Sequence, residues 1–298
     1  MARLPINPMS VWGVLKELRA VEGDFRPVLV AGAPEHAGAI RTAFVEGGDA
    51  DAVRDLSGKP LSAYDVDGAC VVVYAVDGPQ QSEEDEKSLR LAIRKGVGVI
   101  CVLVGVPEGE VPSVPYVLDT DIVAVAPGEP LPIEDLAERI ADRADEAGYQ
   151  LAKLLPAIRR PIVEQIIKKF SLQNGVLGVA IFIPGADFPV LTLNQIRMVL
   201  RIAAAHGEEL DKERAVEILT VVAAGLGFRT VARQLVGIVP GFGWAVKGGI
   251  AYAATRAVGE AAAAYFAAGG TRMIGGPSGP GPSLRAHGQR GDARSASD

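Results

Sequence analysis

The sequence is poor in the side chains that carry several common chemistries. Its 298 residues include two cysteines and three histidines. Cys70 and Cys101 both lie in apolar runs of the strand type, so we predict buried free thiols and neither a disulfide framework nor a zinc site. His36, His206 and His287 are far apart in the chain. Neither a catalytic triad nor a metal centre can be built from them, and we expect no metal ion or other cofactor.

Aromatic residues are also scarce. They make up 5% of the chain, whose formal net charge is −6. Proteins that bind nucleic acid usually present a basic face with aromatic side chains on which bases stack. The composition therefore argues against nucleic acid as a partner.

The chain lacks an uninterrupted apolar run of the roughly 20 residues that a membrane-spanning helix needs. Phe170–Ala186 is uncharged but contains Pro184, and Leu235–Val246 is uncharged but contains Pro240. Two interpretations stay open for these segments: buried core helices, or hairpins that dip into a membrane. The N-terminal residues do not resemble a secretory signal. We expect a cytoplasmic protein, either free or peripheral on the cytoplasmic membrane.

Charge is distributed unevenly along the chain. Residues 1–150 carry 13 Lys and Arg against 26 Asp and Glu, whereas residues 151–271 carry 13 against 8. An acidic first half with a net charge of −13 thus precedes a basic, apolar second half with a net charge of +5. This asymmetry indicates that the two halves have different surroundings.

Strand-like and helix-like segments alternate in the first half. Strands are predicted at Arg26–Gly32, Ala52–Leu56, Ala69–Val76, Gly98–Val104 and Asp121–Val125. Helices are predicted at Val11–Val21, His36–Val45 and Ser82–Lys95, and from about Pro132 toward Gly148. Alternation of this kind predicts a parallel α/β sheet. We therefore expect an N-terminal helix within residues 1–24 and an α/β domain over residues 25–150.

The first predicted strand leads into a glycine-bearing turn and a helix, where phosphate-loop proteins place GxxxxGK[ST]. Here the turn reads GAPEHAGAIR: Gly32 and Gly38 are six residues apart, no Lys follows Gly38, and Glu35 adds a carboxylate. Downstream, Asp55 and Gly58 match the short DxxG pattern of GTPases. The order of elements predicts a GTPase-like sheet without a functional phosphate loop.

Asp77 follows the third predicted strand directly. Open α/β sheets bind ligands at the carboxyl ends of their strands, so Asp77 joins Asp55 and Gly58 as a candidate for contact with a ligand or partner. A simple turn aspartate in the pair Asp77-Gly78 is the competing interpretation. No residue is predicted to be catalytic.

From about Leu151 the strand signals stop and helices rich in Ala, Gly, Val and Leu follow. We expect an apolar helical domain over residues 151–271 and a disordered tail over residues 272–298. Predicted helical segments are Pro161–Phe170, Leu193–His206 and Lys212–Phe228, with an apolar run at Gly175–Pro184 and a stretch from Thr230 to Phe266. Thr192 and Gln195 form a capping-box pattern, and Asp211 is a suitable N-cap.

The segments IPGADFPVLTLNQIRMVLRIAAAHG and RAVEILTVVAAGLGFRTVARQLVGIVPGFGWAVKGGIAYAATRAVGEAA resemble the bacterial YcjF-like family of unknown function. The likeness covers about Gly175–Phe266. The resemblance implies membrane association, and it implies that the protein is fused to, or neighbours, an Era-like or dynamin-like GTPase. It implies no catalytic role. The recurring positions of the family fall on Pro184, Asp187, Thr192, Gln195, Arg197, Arg201, Arg233, Pro240, Gly243, Lys247 and Gly248.

Several charged residues stand within this apolar region. They are Asp187, Arg197, Arg201, Arg229, Arg233 and Lys247. The cations could face anionic lipid, with an attraction of about 1 kcal/mol per charge. Alternatively, they could pair internally with Asp187, Glu217 and Glu260.

Together these patterns predict a non-catalytic, membrane-associated regulatory or scaffold protein with a pseudo-GTPase domain. Its expected partners are an anionic membrane surface and a protein, which could itself be a GTPase. One alternative is an enzyme, a divergent GTP-binding protein. Another is a soluble homo-oligomer assembled through the apolar helices.

Overall fold

A computed structural model describes residues 8–22, 25–110, 112–144, 148–180, 187–225 and 244–270. The first half contains five parallel strands in the order β2-β1-β3-β4-β5. The strands are β1 (Val28–Gly32), β2 (Val53–Ser57), β3 (Val71–Asp77), β4 (Gly98–Val104) and β5 (Ile122–Val125). The predicted parallel α/β sheet is confirmed, and β4 has the bounds that its apolar run predicts.

Helices cover both faces of this sheet, because its central strands are apolar on both sides. One face packs against α2 (Pro34–Val45) and α5 (Ile133–Arg143). The other face packs against α3 (Ala63–Asp67) and α4 (Glu83–Arg94). Residues 71–76 of β3 are all buried, which explains why this strand reads as one continuous apolar run.

The second half is helical in its described residues, as predicted. Its helices are α6 (Gly148–Leu154), α7 (Pro156–Ala180), α8 (Asp187–Ala205), α9 (Lys212–Gly225) and α10 (Trp244–Ala267). The N-terminal helix α1 (Pro8–Glu22) packs against α8 and α9 and therefore belongs to this helical layer. The predicted tail, residues 272–298, lies outside the described residues.

Two predicted helix starts are wrong. Helix α7 runs through Pro161 and continues to Ala180, whereas the sequence predicted a helix starting at that proline. Pro161 is the sixth residue of α7, where its missing N–H removes one main-chain hydrogen bond, and the helix continues through it. Helix α8 starts at Asp187, so Thr192 is an interior residue and the capping box predicted with Gln195 is wrong.

The predicted N-cap of α9 is confirmed. The Asp211 carboxylate accepts a hydrogen bond from the backbone N–H of Arg214 at 2.7 Å. An acceptor at this position satisfies one of the N–H groups that the first helical turn leaves without a partner.

The helical layer and the α/β layer share one apolar core. Buried residues of α2 and α5 belong to the same cluster as those of α6, α7 and α8. The backbone N–H of Asp49 donates to the carbonyl of Leu154 at 3.0 Å. The core is thus continuous across residue 150, where the composition of the sequence changes.

Both cysteines are free thiols, in agreement with the prediction. Cys101 lies in the middle of β4 and is buried, whereas Cys70 is partly buried just before β3. Burial raises the pKa of the Cys101 thiol to about 12. This thiol is therefore protonated at neutral pH and unreactive.

Candidate functional site

The strand order creates a crevice at the carboxyl edge of the sheet. Strands β1 and β3 are neighbours, and the helices that follow them, α2 and α4, cover opposite faces. The chain therefore leaves the sheet in opposite directions at this point, which is where open α/β sheets bind ligands. A cavity of about 350 Å³ opens here, and Gly58 and Asp77 are among the residues that line it.

The connection between β1 and α2 consists of one residue, Ala33. The backbone N–H of Ala33 donates to the carbonyl of Ala75 at 2.8 Å. Gly32 has a φ of +94°, and a Cβ on it would overlap the same carbonyl, so only glycine fits. The segment compared with a phosphate loop, residues 34–38, is helical. Since a phosphate loop binds its ligand through free backbone N–H groups, this tight connection is poorly suited to that role.

Helix α4 begins on the opposite side of the crevice with a complete capping box. The Asp85 carboxylate accepts hydrogen bonds from the backbone N–H and the hydroxyl of Ser82, at 2.8 and 2.7 Å. It also accepts one from the Tyr74 hydroxyl at 2.9 Å. Burial, together with this bond, raises the pKa of Tyr74 well above its ordinary value. Asp85 therefore stabilises the start of α4, and both of its oxygens already have donors.

The charges around the crevice are mainly negative. Asp77, Glu84 and Asp85 line it with one cation, Lys59. The Asp77 side chain is 84% exposed, and its Oδ1 lies 3.6 Å from Nε2 of His36. Carboxylates at this edge repel a polyphosphate. The charged side chains among the described lining residues therefore sum to a net negative charge.

Asp55 is separated from the other two candidates. It does not line the crevice, and its Oδ1 accepts a hydrogen bond from the backbone N–H of Ser57 at 2.8 Å. This hydrogen bond is the main reason why the pKa of Asp55 lies below its ordinary value, and Arg41 makes a smaller contribution. Gly58 approaches the crevice because its N–H donates to the carbonyl of Gly32 at 2.9 Å. The structure thus brings Gly58 and Asp77 to one site and places Asp55 within β2, away from the crevice.

Among the residues that the structure describes, no three His, Cys, Asp or Glu side chains come together as a metal site requires.

The charged candidates of the helical layer have varied surroundings. Arg197 pairs with Glu17 of α1, with Nη2 2.9 Å from Oε1. Arg201 lies over the ring of Phe170, with its guanidinium carbon 5.2 Å from the ring centroid. For Asp187 and Lys247 only the backbone is described, in α8 and α10, and Arg229 and Arg233 lie outside the described residues.

For Arg197 the structure shows an internal ion pair, one of the two alternatives left open, but the partner is Glu17 and not Glu217 or Glu260. Glu217 pairs instead with Arg214 at 2.8 Å, and Glu260 with Arg256 at 2.7 Å. In both pairs the partners are three or four residues apart on one helix, where side chains meet readily.

The C-terminal half of α7 exposes two large apolar side chains and buries two polar ones, and the sequence analysis missed this feature. Leu172 and Val176 are each 60% exposed, whereas Ser171 and Asn174 are fully buried. Leu172 and Val176 continue the exposed row of Glu164 and Lys168 at four-residue spacing. An amphipathic helix of a globular protein normally has the opposite arrangement. The sequence contains one feature that could have indicated this arrangement: an uncharged stretch in which polar and apolar residues recur with helical spacing.

A hydrogen-bonded network surrounds the buried Asn174 side chain of α7. The Asn174 amide donates to the Thr255 hydroxyl of α10 at 2.9 Å, and its oxygen accepts from the Asn194 amide of α8 at 3.0 Å. The Gln195 amide donates to the same Thr255 hydroxyl at 3.3 Å. The network joins three helices and supplies hydrogen-bond partners that offset the cost of burying Asn174. The buried hydroxyl of Ser171 has no such partner among the described residues.

None of the helices in the described part of the chain combines the length and the apolar character needed to cross a bilayer.

Comparison with known proteins adds no identification. No model of a known protein family matches the chain, and no curated protein is significantly similar to it.

Proposed function

We propose that this chain is a non-catalytic, membrane-associated regulatory or scaffold protein. The helical layer docks reversibly on an anionic bilayer surface, and the α/β domain, a GTPase-like sheet without a working phosphate loop, binds a protein partner. The observation that carries the proposal is the apolar outer face of α7. Leu172 and Val176 are each 60% exposed, and exposed Lys168 lies one turn before them.

The expected contributions to the free energy of membrane binding favour weak, peripheral docking. Full burial of a Leu or Val side chain contributes about 1.5–3 kcal/mol, and a lysine near an anionic surface contributes about 1 kcal/mol. Two partly exposed side chains and one lysine therefore supply on the order of 4 kcal/mol, which corresponds to a Kd of about 1 mM. Such docking is reversible, and the loss of one apolar side chain should reduce it measurably.

The resemblance to the YcjF-like family supports the same proposal, because it implies membrane association and a neighbouring GTPase. The GTPase-like outline is supported by the strand–helix unit at β1 and α2 and by the DxxG residues, of which Gly58 reaches the crevice. The non-catalytic part is supported by the one-residue connection at Ala33 and by the acidic lining of the crevice.

Flotation of the full-length chain with liposomes tests the docking. Wild type should float with anionic vesicles, less so as the salt concentration rises, and not with neutral vesicles. Leu172→Glu should lower the floated fraction severalfold, because a carboxylate would replace an apolar contact next to anionic lipid. Leu118→Glu is the matched control, since Leu118 is also 60% exposed but precedes β5 in the α/β layer.

The docking proposal fails if wild type stays at the bottom of the gradient, or if both variants lose flotation equally. A defined oligomer that Leu172→Glu dissociates would instead favour a homo-oligomer in which α7 meets a second copy. A separate titration with GTP and Mg²⁺ addresses the enzyme alternative. We expect no saturable binding to the full-length chain, and saturable binding would overturn the non-catalytic part of the proposal.

A further inference from the structure

The loop between β4 and β5 bears two large, mainly apolar side chains that are exposed. Tyr116 is 59% exposed and Leu118 is 60% exposed. Both line a surface groove of about 260 Å³. Other apolar residues of this groove run from the end of α4 into β4, and they are Ile93, Val97 and Val99. An exposed apolar patch with polar residues around it is typical of a site that contacts another molecule.

The backbone at Tyr116 has a conformation that favours glycine. The Val117 N–H donates to the carbonyl of buried Val114 at 3.2 Å and closes a turn, with Pro115 and Tyr116 at its two central positions. Tyr116 has a φ of +71°, the only positive φ of a non-glycine residue in the described part of the chain. Turns of this kind normally have glycine there. Because such strain is concentrated at binding sites, and the exposed ring does not fill the core, we infer a role in binding.

Two arginines of α4 bring positive charge to this patch. Arg90 and Arg94 are exposed and lie about one turn apart, in a groove of about 470 Å³ along the helix. The guanidinium carbon of Arg90 lies 5.5 Å from the ring centroid of Tyr116, and this contact does not neutralise the charge. Among the described residues, neither arginine forms an ion pair with a carboxylate.

The other cations that line the two grooves are already paired with carboxylates. The three pairs are Lys87–Glu83, Lys95–Asp67 and Arg143–Asp121. Glu86 precedes Arg90 by one turn of α4, but it does not line either groove. The charge that these grooves offer to a partner therefore comes from Arg90 and Arg94.

We propose that Arg90, Arg94, Tyr116 and Leu118, here called the Tyr116 surface, bind an acidic segment of a protein partner. Carboxylates of the segment contact the two guanidinium groups, whose planar donors fit them. An apolar side chain beside those carboxylates covers Tyr116 and Leu118. Tyrosine and arginine are enriched among the residues that contribute most to protein–protein binding. The inference rests on the proposed function, in which the α/β domain binds a protein, and it names the surface and the chemistry of the partner.

Selection from a phage-displayed library of random peptides of about twelve residues, on the full-length chain, tests this surface. We expect the enriched peptides to combine Asp or Glu with Leu or an aromatic residue. Fluorescence anisotropy then measures the affinity of one enriched peptide. Arg94→Glu should weaken its binding about tenfold, because the change removes an attraction and adds a repulsion. Replacing the acidic residues of the peptide by lysine should restore its binding to Arg94→Glu and abolish its binding to wild type.

Arg160→Glu is the matched control. Arg160 is an exposed arginine of α7 that makes no ion pair among the described residues, and it lies in the helical layer. This variant should bind the peptide like wild type. Tyr116→Gly should weaken binding but should melt no lower than wild type, since glycine tolerates a positive φ. Thermal melts of all variants check that they fold.

The proposal is overturned if acidic residues are not enriched, if Arg160→Glu weakens binding as much as Arg94→Glu, or if the lysine peptide fails to recover binding. It is also overturned if Arg94→Glu lowers flotation with anionic vesicles, which would assign the surface to lipid, or dissociates a dimer, which would assign it to a second copy.

Two variants separate this inference from the proposed function. Leu118→Glu should lose the peptide and still float with anionic vesicles, whereas Leu172→Glu should keep the peptide and float less. A peptide that binds wild type, Arg94→Glu and Leu118→Glu equally would overturn the Tyr116 surface and leave partner binding elsewhere on the protein in place.

Discussion

Gly175 of α7 and Gly248 of α10 face each other where the two helices cross. A Cβ on Gly248 would lie 2.8 Å from the carbonyl oxygen of Gly175 and 2.5 Å from Cγ2 of Val179. A Cβ on Gly175 would lie 3.4 Å from the carbonyl oxygen of Gly248 and 3.2 Å from Cβ of Tyr252. The two helices approach closely because neither residue has a side chain at the crossing.

Gly248→Ala should therefore destabilise the protein. The added methyl group would force α7 and α10 apart, at a cost of about 1–3 kcal/mol. Gly249→Ala provides the comparison, because a Cβ there meets nothing within 4 Å. That change should be neutral or stabilise the helix by up to about 1 kcal/mol. Chemical denaturation of the two variants measures the difference, and equal stabilities would contradict the close crossing.

Much of the α/β layer could be predicted from the sequence, because its strands are buried on both faces and read as apolar runs. Residues 98–104 illustrate this, since their apolar run and strand β4 coincide. The placement of Asp77 and Gly58 at one edge also follows from pattern, because the carboxyl ends of parallel strands share an edge.

The helical layer was harder to predict, because its helices are specified by contacts between distant residues. The partner of Arg197 is Glu17, 180 residues away, and no spacing rule connects them. The start of α8 was missed because the capping-box pattern at Thr192 is local, whereas the helix extends one further turn toward its N-terminus. The glycines at 175 and 248 could not be interpreted from sequence either, since their effect depends on which helix faces them.

Thr255 provides the second prediction. Its hydroxyl accepts hydrogen bonds from the amides of Asn174 and Gln195, at 2.9 and 3.3 Å, in a buried position. Thr255→Val keeps the shape but removes the acceptor, so both amides lose a partner. Loss of about 1–3 kcal/mol of unfolding free energy is expected.

Thr220→Val is the matched control for that experiment. The Thr220 hydroxyl donates to the carbonyl of Val216 at 2.7 Å on an exposed helix face. Water can replace this bond, so stability should stay within about 0.5 kcal/mol of wild type. If Thr255→Val lowered the stability as little as Thr220→Val does, the buried network would not contribute to the stability of the helical layer.

Asp55 provides a prediction about pH. Its pKa lies below the ordinary value of 3.8, chiefly because its carboxylate accepts a hydrogen bond from the backbone N–H of Ser57. A lowered folded-state pKa means that the carboxylate stabilises the fold above the unfolded-state pKa and that this stability is lost as the pH falls through the folded-state pKa. Asp55→Asn should therefore be slightly less stable than wild type at pH 7.

The difference in stability between wild type and Asp55→Asn should shrink as the pH falls below about 4, which is the pKa of the carboxyl in the unfolded state. Urea denaturation of both proteins at pH 7 and at pH 3 measures this change, and an NMR titration of the Asp55 carboxyl gives its pKa directly. The effect is small because the side chain is exposed. A deficit of the same size at both pH values would show that the charge is not its cause.

The last prediction concerns the core that the two layers share. A fragment of residues 1–150 would lose α7, which packs against α5 and α2, and so would uncover part of the buried cluster that contains Phe44, Leu136, Ile140, Leu155 and Ile158. It would also lose the bond from Asp49 N–H to the Leu154 carbonyl. Each large apolar side chain left in water forfeits about 1.5–3 kcal/mol, and a few such losses equal the total stability of an ordinary domain. The fragment should therefore show no cooperative thermal transition, whereas residues 1–270 should melt like the full chain. A fragment that melts cooperatively, with sharp near-ultraviolet circular dichroism, would show that the α/β layer folds alone and that the shared core is an interface between independent domains.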